Sequence, residues 1–289
     1  MPKVIVLGST GMLGSAVHRQ LVSAGLDVIE ASRTSGFKFD ARELQSHRLI
    51  QVGNLEAGDY IVNCVGLTKS RINEKSIDSR AIAVRLNVDF PNDLALAAES
   101  SGVRVIQVAT DCVFSGTVGS YSESAKHDAE DVYGKTKSLG ETPSHSVMHL
   151  RCSLLGPERE RNSLFFEWVR QQPEGASIEG FTNHIWNGLT SDVFGQIVSG
   201  IVKDGLFVPG VQHLVPEGKV SKDQLVRLEL EALGRADVKV SSVEATHQVD
   251  RTLSTQKTEA NSNLFAAAGF KNPPTIAEMV TRLCSELAD

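Results

Sequence analysis

Tyr133 and Lys137 stand four residues apart in YGKTK, a spacing that puts a phenol and an ammonium on one face of a helix. A cation beside a phenol favours the phenolate, so the pair is expected to lower the tyrosine pKa and let it deliver or accept a proton near neutral pH. Thr110 ends the apolar run 103–109 and can donate a hydrogen bond to the same carbonyl oxygen, stabilising charge that develops there. A Tyr and a Lys at this spacing are common on ordinary surfaces. The set gains meaning only together with the glycine motif near the N-terminus.

The first apolar run leads into GSTGMLG, with Gly8, Gly11 and Gly14 three residues apart and Thr10, Met12 and Leu13 between them, opening a helical pattern. Glycines let the backbone turn tightly against a pyrophosphate, and a helix N-terminus offers free N–H groups and partial positive charge. A merely structural glycine turn is the weaker alternative, because strand, turn and helix all fall where a dinucleotide site needs them. The second strand, DVIEASRTS, carries Glu30 inside it and Ser32, Arg33 and Thr34 just beyond. An acid at the strand end suits NAD, whereas arginine and hydroxyls suit a 2′-phosphate. This favours NADPH with Arg33 as the clamp, with NADH as the alternative cofactor and a solvated surface arginine as the plainer reading. Cys64, Val65 and Gly66, at the carboxyl edge of a third strand, would let the cofactor lie close.

These residues need a scaffold of alternating strands and helices. Apolar runs at 4–7, 28–31, 60–65, 103–109 and 146–150 alternate with helical periodicity at 12–24 and 84–99. The pattern predicts an α/β fold, a Rossmann-type doubly wound parallel sheet covered on both faces. Pro91 inside the second helical pattern predicts a helix start or a kink. Beyond Gly156 the runs shorten, and a helical tail at 275–287 follows Pro273-Pro274. The expected division is a dinucleotide-binding domain over 1–157, completed by about 186–205, and a smaller, mainly C-terminal substrate-binding domain over 158–185 and 206–289.

With 289 residues, the chain can bury a full core without metal or disulfide staples. Twenty-nine Lys and Arg against 35 Asp and Glu give a formal charge of -6, which argues against nucleic acid as a partner. The four cysteines form no CxxC pair, so neither a zinc site nor a secreted disulfide framework is expected, and Cys64, Cys112 and Cys152 suit buried small hydrophobes better than nucleophiles. The N-terminus runs straight into a strand, and no apolar stretch approaches about eighteen residues. A cytoplasmic protein without membrane association is the expectation.

GFTNHIWNGLT, residues 180–190, is rich in groups that bind sugars. Trp186 could stack on a pyranose, and Asn183, His184, Asn187 and Thr190 could hydrogen-bond to it, although tryptophan is equally a core residue. Trp168 reads as helix packing.

On GSTGMLG, Asn87, TDCVFSG (110–116), YSE (121–123), YGKTKSLGE (133–141) and LRCSLLGP (150–157), the chain resembles the extended short-chain dehydrogenase/reductases, and within them the dTDP-4-dehydrorhamnose reductase family. The resemblance is strong to about residue 157 and weaker afterward. It implies reduction of the 4-keto group of a dTDP- or UDP-linked 6-deoxyhexulose with NADPH or NADH, in activated-sugar or surface-polysaccharide biosynthesis, with no metal and with a homodimer as the assembly some relatives form. It implies Thr110, Tyr133 and Lys137 as the catalytic triad, with Tyr133 and Lys137 also touching the cofactor. Asn87 is implied as the helix asparagine that holds the arrangement beside the cofactor. Arg251, in DRTLST, is implied as the clamp for the substrate's phosphates, with a helix cap or ion pair as its alternative. The family's TDYVFDG-like segment here has Cys112 and Ser115, so a ring and a carboxylate are missing beside the threonine. A nucleotide-sugar epimerase or dehydratase of the same fold, or a non-catalytic NADP-binding regulatory subunit, is the alternative.

Overall fold

A computed structural model describes residues 1–158 and 164–287. The remaining residues, 159–163 and 288–289, fall in segments assigned above to the smaller domain and lie outside the described residues. The first half alternates strand and helix: β1 (Lys3–Leu7), α1 (Met12–Ser23), β2 (Asp27–Ser32), β3 (Phe37–Lys38), α2 (Ser46–Val52), β4 (Tyr60–Asn63), α3 (Ile77–Val84), α4 (Phe90–Ser101), β5 (Arg104–Thr110), α5 (Val132–Leu139) and β6 (Val147–Cys152). The C-terminal half has shorter elements: β7 (Leu154–Leu155), α6 (Phe165–Arg170), β8 (Ser177–Phe181), β9 (His184–Trp186), β10 (Leu189–Thr190), α7 (Ser191–Asp204), β11 (Gly210–His213), β12 (Val220–Ser221), α8 (Lys222–Ala232), β13 (Lys239–Val243), β14 (Val249–Asp250), α9 (Thr258–Ala267) and α10 (Ile276–Glu286).

Seven strands form one sheet in the order β11-β6-β5-β4-β1-β2-β3, every pair parallel. Side chains alternate between its faces. Val4, Val6, Tyr60, Val62, Ile106 and Met148 pack with Leu13 and Val17 of α1 and Phe194 and Ile197 of α7, while Ile5, Leu7, Ile61 and Val105 pack with Leu49 of α2 and Phe90 and Leu94 of α4. Two covered faces explain why these strands read as unbroken apolar runs. Edge strand β11 lies within 206–289, so that segment does not belong wholly to a separate unit: pairing with β6 places its start in the large sheet. A smaller cluster of Val169, Ile178, Val226, Leu230 and Val238 is built on β8 and β13, which pair in parallel, and on α6 and α8.

Pro91 marks the helix start that its position predicts. Residues Arg85–Asp89 form a π-helical turn between α3 and α4, and Pro91 sits in the first turn of α4. The inserted turn absorbs the hydrogen bond that proline cannot donate. It also carries Asn87.

Glu229 on α8 is 0% exposed, and neither of its carboxylate oxygens has a hydrogen-bond partner. Burial pushes its pKa from 4.5 up to about 8, against the opposing charge of Lys222. The folded protein therefore keeps a proton that the unfolded chain releases, and stability falls as pH rises from about 4.5 to about 8. Glu229→Gln removes that titration. Its thermal stability relative to wild type is expected to grow across this window, by on the order of 4 kcal/mol at the upper end. Parallel melting-temperature profiles from acid to pH 8 for the two proteins would contradict this.

Candidate active site

The glycine motif forms a cradle at the carboxyl edge of β1. Gly8 has φ +75, and its N–H donates to Ala31 O at 2.9 Å, tying the turn to β2. A Cβ on Gly14 would meet Gly8 O at 2.1 Å, so only glycine lets α1 press onto the turn. Gly11 caps α1 without a side-chain hydrogen bond, and no acidic residue stands in the first turn. The helix thus opens with free N–H groups and uncompensated positive potential, which suits a pyrophosphate.

A cavity of about 380 Å³ extends from this cradle. It brings together Gly8, Thr10, Gly11, Ser32, Arg33, Cys64, Val65 and Gly66. Met12, Leu13, Gly14, Thr34, Tyr133 and Lys137 are not in its lining; Leu13 and Gly14 are buried in the packing of α1 and Thr34 is exposed. Ser32 is buried, and its hydroxyl donates to Ser35 O and accepts from the N–H groups of Thr34 and Ser35. It therefore shapes the loop that presents Arg33 and is not a free phosphate donor. Three charged lining residues escaped the sequence reading: Asp40, Arg42 and Arg71. Arg42 forms an ion pair with Asp40, its Nε donating to Oδ1 at 2.9 Å, and this pairing holds the Asp40 carboxyl below its usual range. With Arg33, the two arginines put three guanidinium groups in the cavity's lining. The only hint was the basic and acidic punctuation after the two-residue β3.

Asn87 is 1% exposed and hydrogen-bonded throughout: Oδ1 accepts from Leu67 N–H at 2.8 Å, while Nδ2 donates to Leu67 O at 3.0 Å and Thr136 Oγ1 at 3.1 Å. It does not face the cavity. It joins the loop after β4 to α5, which makes it a positioning residue and corrects its assignment among cofactor contacts.

α5 begins at Asp131, whose carboxylate accepts from Gly134 N–H at 2.8 Å. A Cβ on Gly134 would meet Cys112 O at 2.4 Å, so the glycine of YGKTK lets the helix approach the end of β5. Tyr133 is thereby brought beside Thr110, close enough for the threonine to act on the phenol's ionisation. Thr110 Oγ1 also accepts from Cys112 N–H and donates to Asp111 Oδ1, both at 3.2 Å. Lys137 is 9% exposed, and its Nζ donates to Val108 O at 2.8 Å. Burial lowers its pKa from 10.5 to about 8, opposed by the Glu141 charge.

The expected effect on the phenol runs the other way. Burial raises the Tyr133 pKa, the nearby Cys112, Asp111 and Asp131 raise it further, and only Thr110 opposes them. The lysine is anchored to a backbone carbonyl and does not offset the desolvation. At neutral pH the phenol holds its proton, as a proton donor must. Burial also pushes the Cys64 and Cys112 thiols up to about 12, so neither is a nucleophile near neutral pH.

Arg251 reaches over the turn at Gly116 and donates from Nε to Phe114 O at 2.8 Å. Its terminal nitrogens make no hydrogen bond among the described residues, and it lies within charge range of Asp111. DRTLST is joined to YSE, with Tyr121 N–H donating to Thr252 O and Ser254 N–H to Tyr121 O. Ser115 donates from Oγ and N–H to the Asp128 carboxylate, each at 2.7 Å.

Trp186 and Asn183 do not sit as carbohydrate contacts. Trp186 is 6% exposed within the main core, and its Nε1 donates to Ser153 Oγ at 2.8 Å, leaving no open ring face for a pyranose. Asn183 closes on Ala245, donating to its carbonyl and accepting from its N–H, so its carboxamide braces a loop. Asn187 does the same with Leu253. Trp168, read as packing, is 42% exposed on α6.

Residues 2–288 match the family described as the RmlD substrate binding domain. Among curated proteins the chain is similar to methionine adenosyltransferase 2 subunit beta of Pongo abelii, with 31% identity over 141 residues, 48% of this chain and 41% of that protein. It is also similar to the spore coat polysaccharide biosynthesis protein SpsK of Bacillus subtilis, with 30% identity over 142 residues, 49% of this chain and 47% of that protein. The matched stretch is less than half the length of either relative. A dTDP-4-dehydrorhamnose reductase of Bacillus anthracis, solved in complex with NADP, has the same fold, with a TM-score of 0.81 at 19% identity over 99% of this chain and all of that one.

Proposed function

The chain belongs to the RmlD substrate binding domain family, and from that premise we propose that it is an NADPH-dependent reductase of a nucleotide-linked 4-keto-6-deoxyhexose. The observation that carries the reading is the Tyr133 phenol, kept protonated by burial beside Thr110 at the carboxyl edge of β5, with Lys137 buried on the same helix. Reduction of a ketone needs an acid in that place.

The cofactor's site is supported by the Gly8–Gly14 cradle, which a Cβ would fill, and by Arg33, Arg42 and Arg71 beyond it. When bound, NADPH supplies the hydride. Tyr133 delivers its proton to the carbonyl oxygen, and the Lys137 ammonium favours the phenolate left behind. Thr110, whose proton is held by Asp111 before substrate arrives, turns its hydroxyl to the developing oxyanion. Arg251 faces the substrate with its terminal nitrogens and takes a phosphate oxygen in fork geometry.

The test is absorbance-monitored NADPH oxidation with enzymatically generated dTDP- and UDP-linked 4-keto-6-deoxyhexoses. Turnover on one of them is expected. Arg33→Ala should raise KM for NADPH about tenfold, the loss of one charge-assisted phosphate contact, and leave KM for NADH unchanged. Silence on both sugars by a protein that binds NADPH would overturn the reductase reading, and a stoichiometric complex with another enzyme would replace it with a regulatory role.

A further inference from the structure

Lys222 opens α8 and has no role in the reading above. Its Nζ stands 4.0 Å from the centroid of the Phe165 ring and 5.4 Å from that of Trp186. Trp186 bonds to Ser153, which follows Cys152, and Cys152 is the register partner of Thr110 across β5 and β6. These contacts place the ammonium at the carboxyl edge of the sheet, on the side of Thr110 where the C-terminal half of the chain closes over the strand ends. Asp111 and Cys112 lie within range of its charge.

The placement is costly for a residue with only a structural task. A cation at the first position of a helix opposes the helix dipole. The cap of α8 is already complete without it, because Ser221 and Gln224 form a reciprocal capping box. Aromatic faces attract a cation but accept no ordinary hydrogen bond from it. An ammonium has three donors, and among the described residues no oxygen accepts from Lys222 Nζ. Burial lowers its pKa from 10.5 to about 8; Glu229 is the largest charge opposing that shift, ahead of Asp111 and Cys112, but among the described residues none of them gives the ammonium a hydrogen-bond acceptor. An anion arriving beside Thr110 would provide one.

We propose that Lys222 is a specificity residue that binds an anionic oxygen of the substrate at the sugar end of the cleft. The inference rests on the nucleotide-sugar reading. The oxygen comes either from a carboxylate on the sugar ring or from the phosphate next to the anomeric carbon; both offer the same chemistry to an ammonium.

The probes are the free diphosphate, the glucose-linked and the glucuronate-linked nucleotides, in the UDP and dTDP series. Their binding is measured by calorimetry on wild type, Lys222→Met and Lys222→Arg, each saturated with NADP. Methionine keeps the apolar stem against Phe165 and Trp186 without the charge, and an unchanged melting temperature with NADP shows that the variant is folded. Lys222→Met should weaken binding about tenfold or more, and Lys222→Arg should recover most of it. Loss confined to the glucuronate-linked ligand identifies a sugar carboxylate; equal loss for all three identifies the phosphate. Nucleotides that bind wild type and Lys222→Met within about twofold of each other overturn the inference alone. Nucleotides that bind none of the proteins overturn it together with the nucleotide-sugar reading.

Discussion

Tyr133→Phe is expected to lower kcat for carbonyl reduction by about 10²- to 10⁴-fold while NADPH binding stays unchanged, because the ring remains and only the acid is removed. The phenol's raised pKa keeps it protonated through the working range, so the wild-type pH profile should not report tyrosine ionisation. It should report Lys137, whose ammonium is charged below about 8 and lost above it. Wild-type activity is therefore expected to hold toward neutral pH and fall as pH rises through about 8. If the lysine acts by stabilising the phenolate, the residual activity of Tyr133→Phe has nothing left to stabilise and should lose that basic limb. Stopped-flow measurement of the reductive step across pH tests both statements. A variant within about tenfold of wild type would remove Tyr133 from the mechanism.

That the lysine favours the phenol's ionisation so weakly could not be read from YGKTK. Spacing gives a shared helix face, and from a shared face an ammonium near a phenol follows. The sign of the net shift depends on how deeply each group is buried and on what else accepts from the lysine, here Val108 O. Neither is local in sequence. The scaffold was more legible. Runs such as 4–7 and 103–109 correspond to β1 and β5 within a residue or so, because strands covered on both faces must be apolar throughout. The alternation of those runs with helical periods sufficed for the parallel sheet.

The C-terminal half was opaque for a physical reason. β8 and β13 pair although they lie some sixty residues apart, and strands of two or three residues, such as β9 and β12, carry no periodicity. Trp186 shows the same limit: an indole among Asn and His has the composition of a sugar site, yet its hydrogen bond to Ser153 and its burial make it part of the core. Lys222 went unnoticed because its aromatic neighbours come from α6 and β9, far away along the chain.

Arg151 is the largest case of this kind, and its removal is expected to have the largest effect on stability. It is 1% exposed in the middle of the fold. It pairs with Glu141, its Nε donating to Oε1 at 3.1 Å; Nη1 donates to His213 Nε2 at 2.7 Å and Nη2 to His127 Nε2 at 2.9 Å. Both imidazoles must be neutral to accept, and burial depresses both, His213 to about 4. Their other nitrogens then donate, His127 Nδ1 to Ser138 Oγ and His213 Nδ1 to Ser254 O, each at 2.7 Å. The guanidinium also lies 5.3 Å from the Phe114 ring centroid. One buried cation thus ties the helix that carries Tyr133 and Lys137 to β11, to the turn after Thr110 and to the DRTLST segment. Arg151→Met leaves the Glu141 carboxylate buried without its cation, which costs about 3–5 kcal/mol. In a chain of this size that corresponds to a fall in melting temperature of roughly 6–15 °C. The double variant Arg151→Met/Glu141→Gln should recover part of the loss, because the penalty lies in the stranded charge more than in the missing contact. Calorimetric melts of wild type, both single variants and the double variant close the cycle. If Arg151→Met melts with wild type, the network does not hold the site together; if the double variant is no more stable than Arg151→Met, the stranded carboxylate is not the cause.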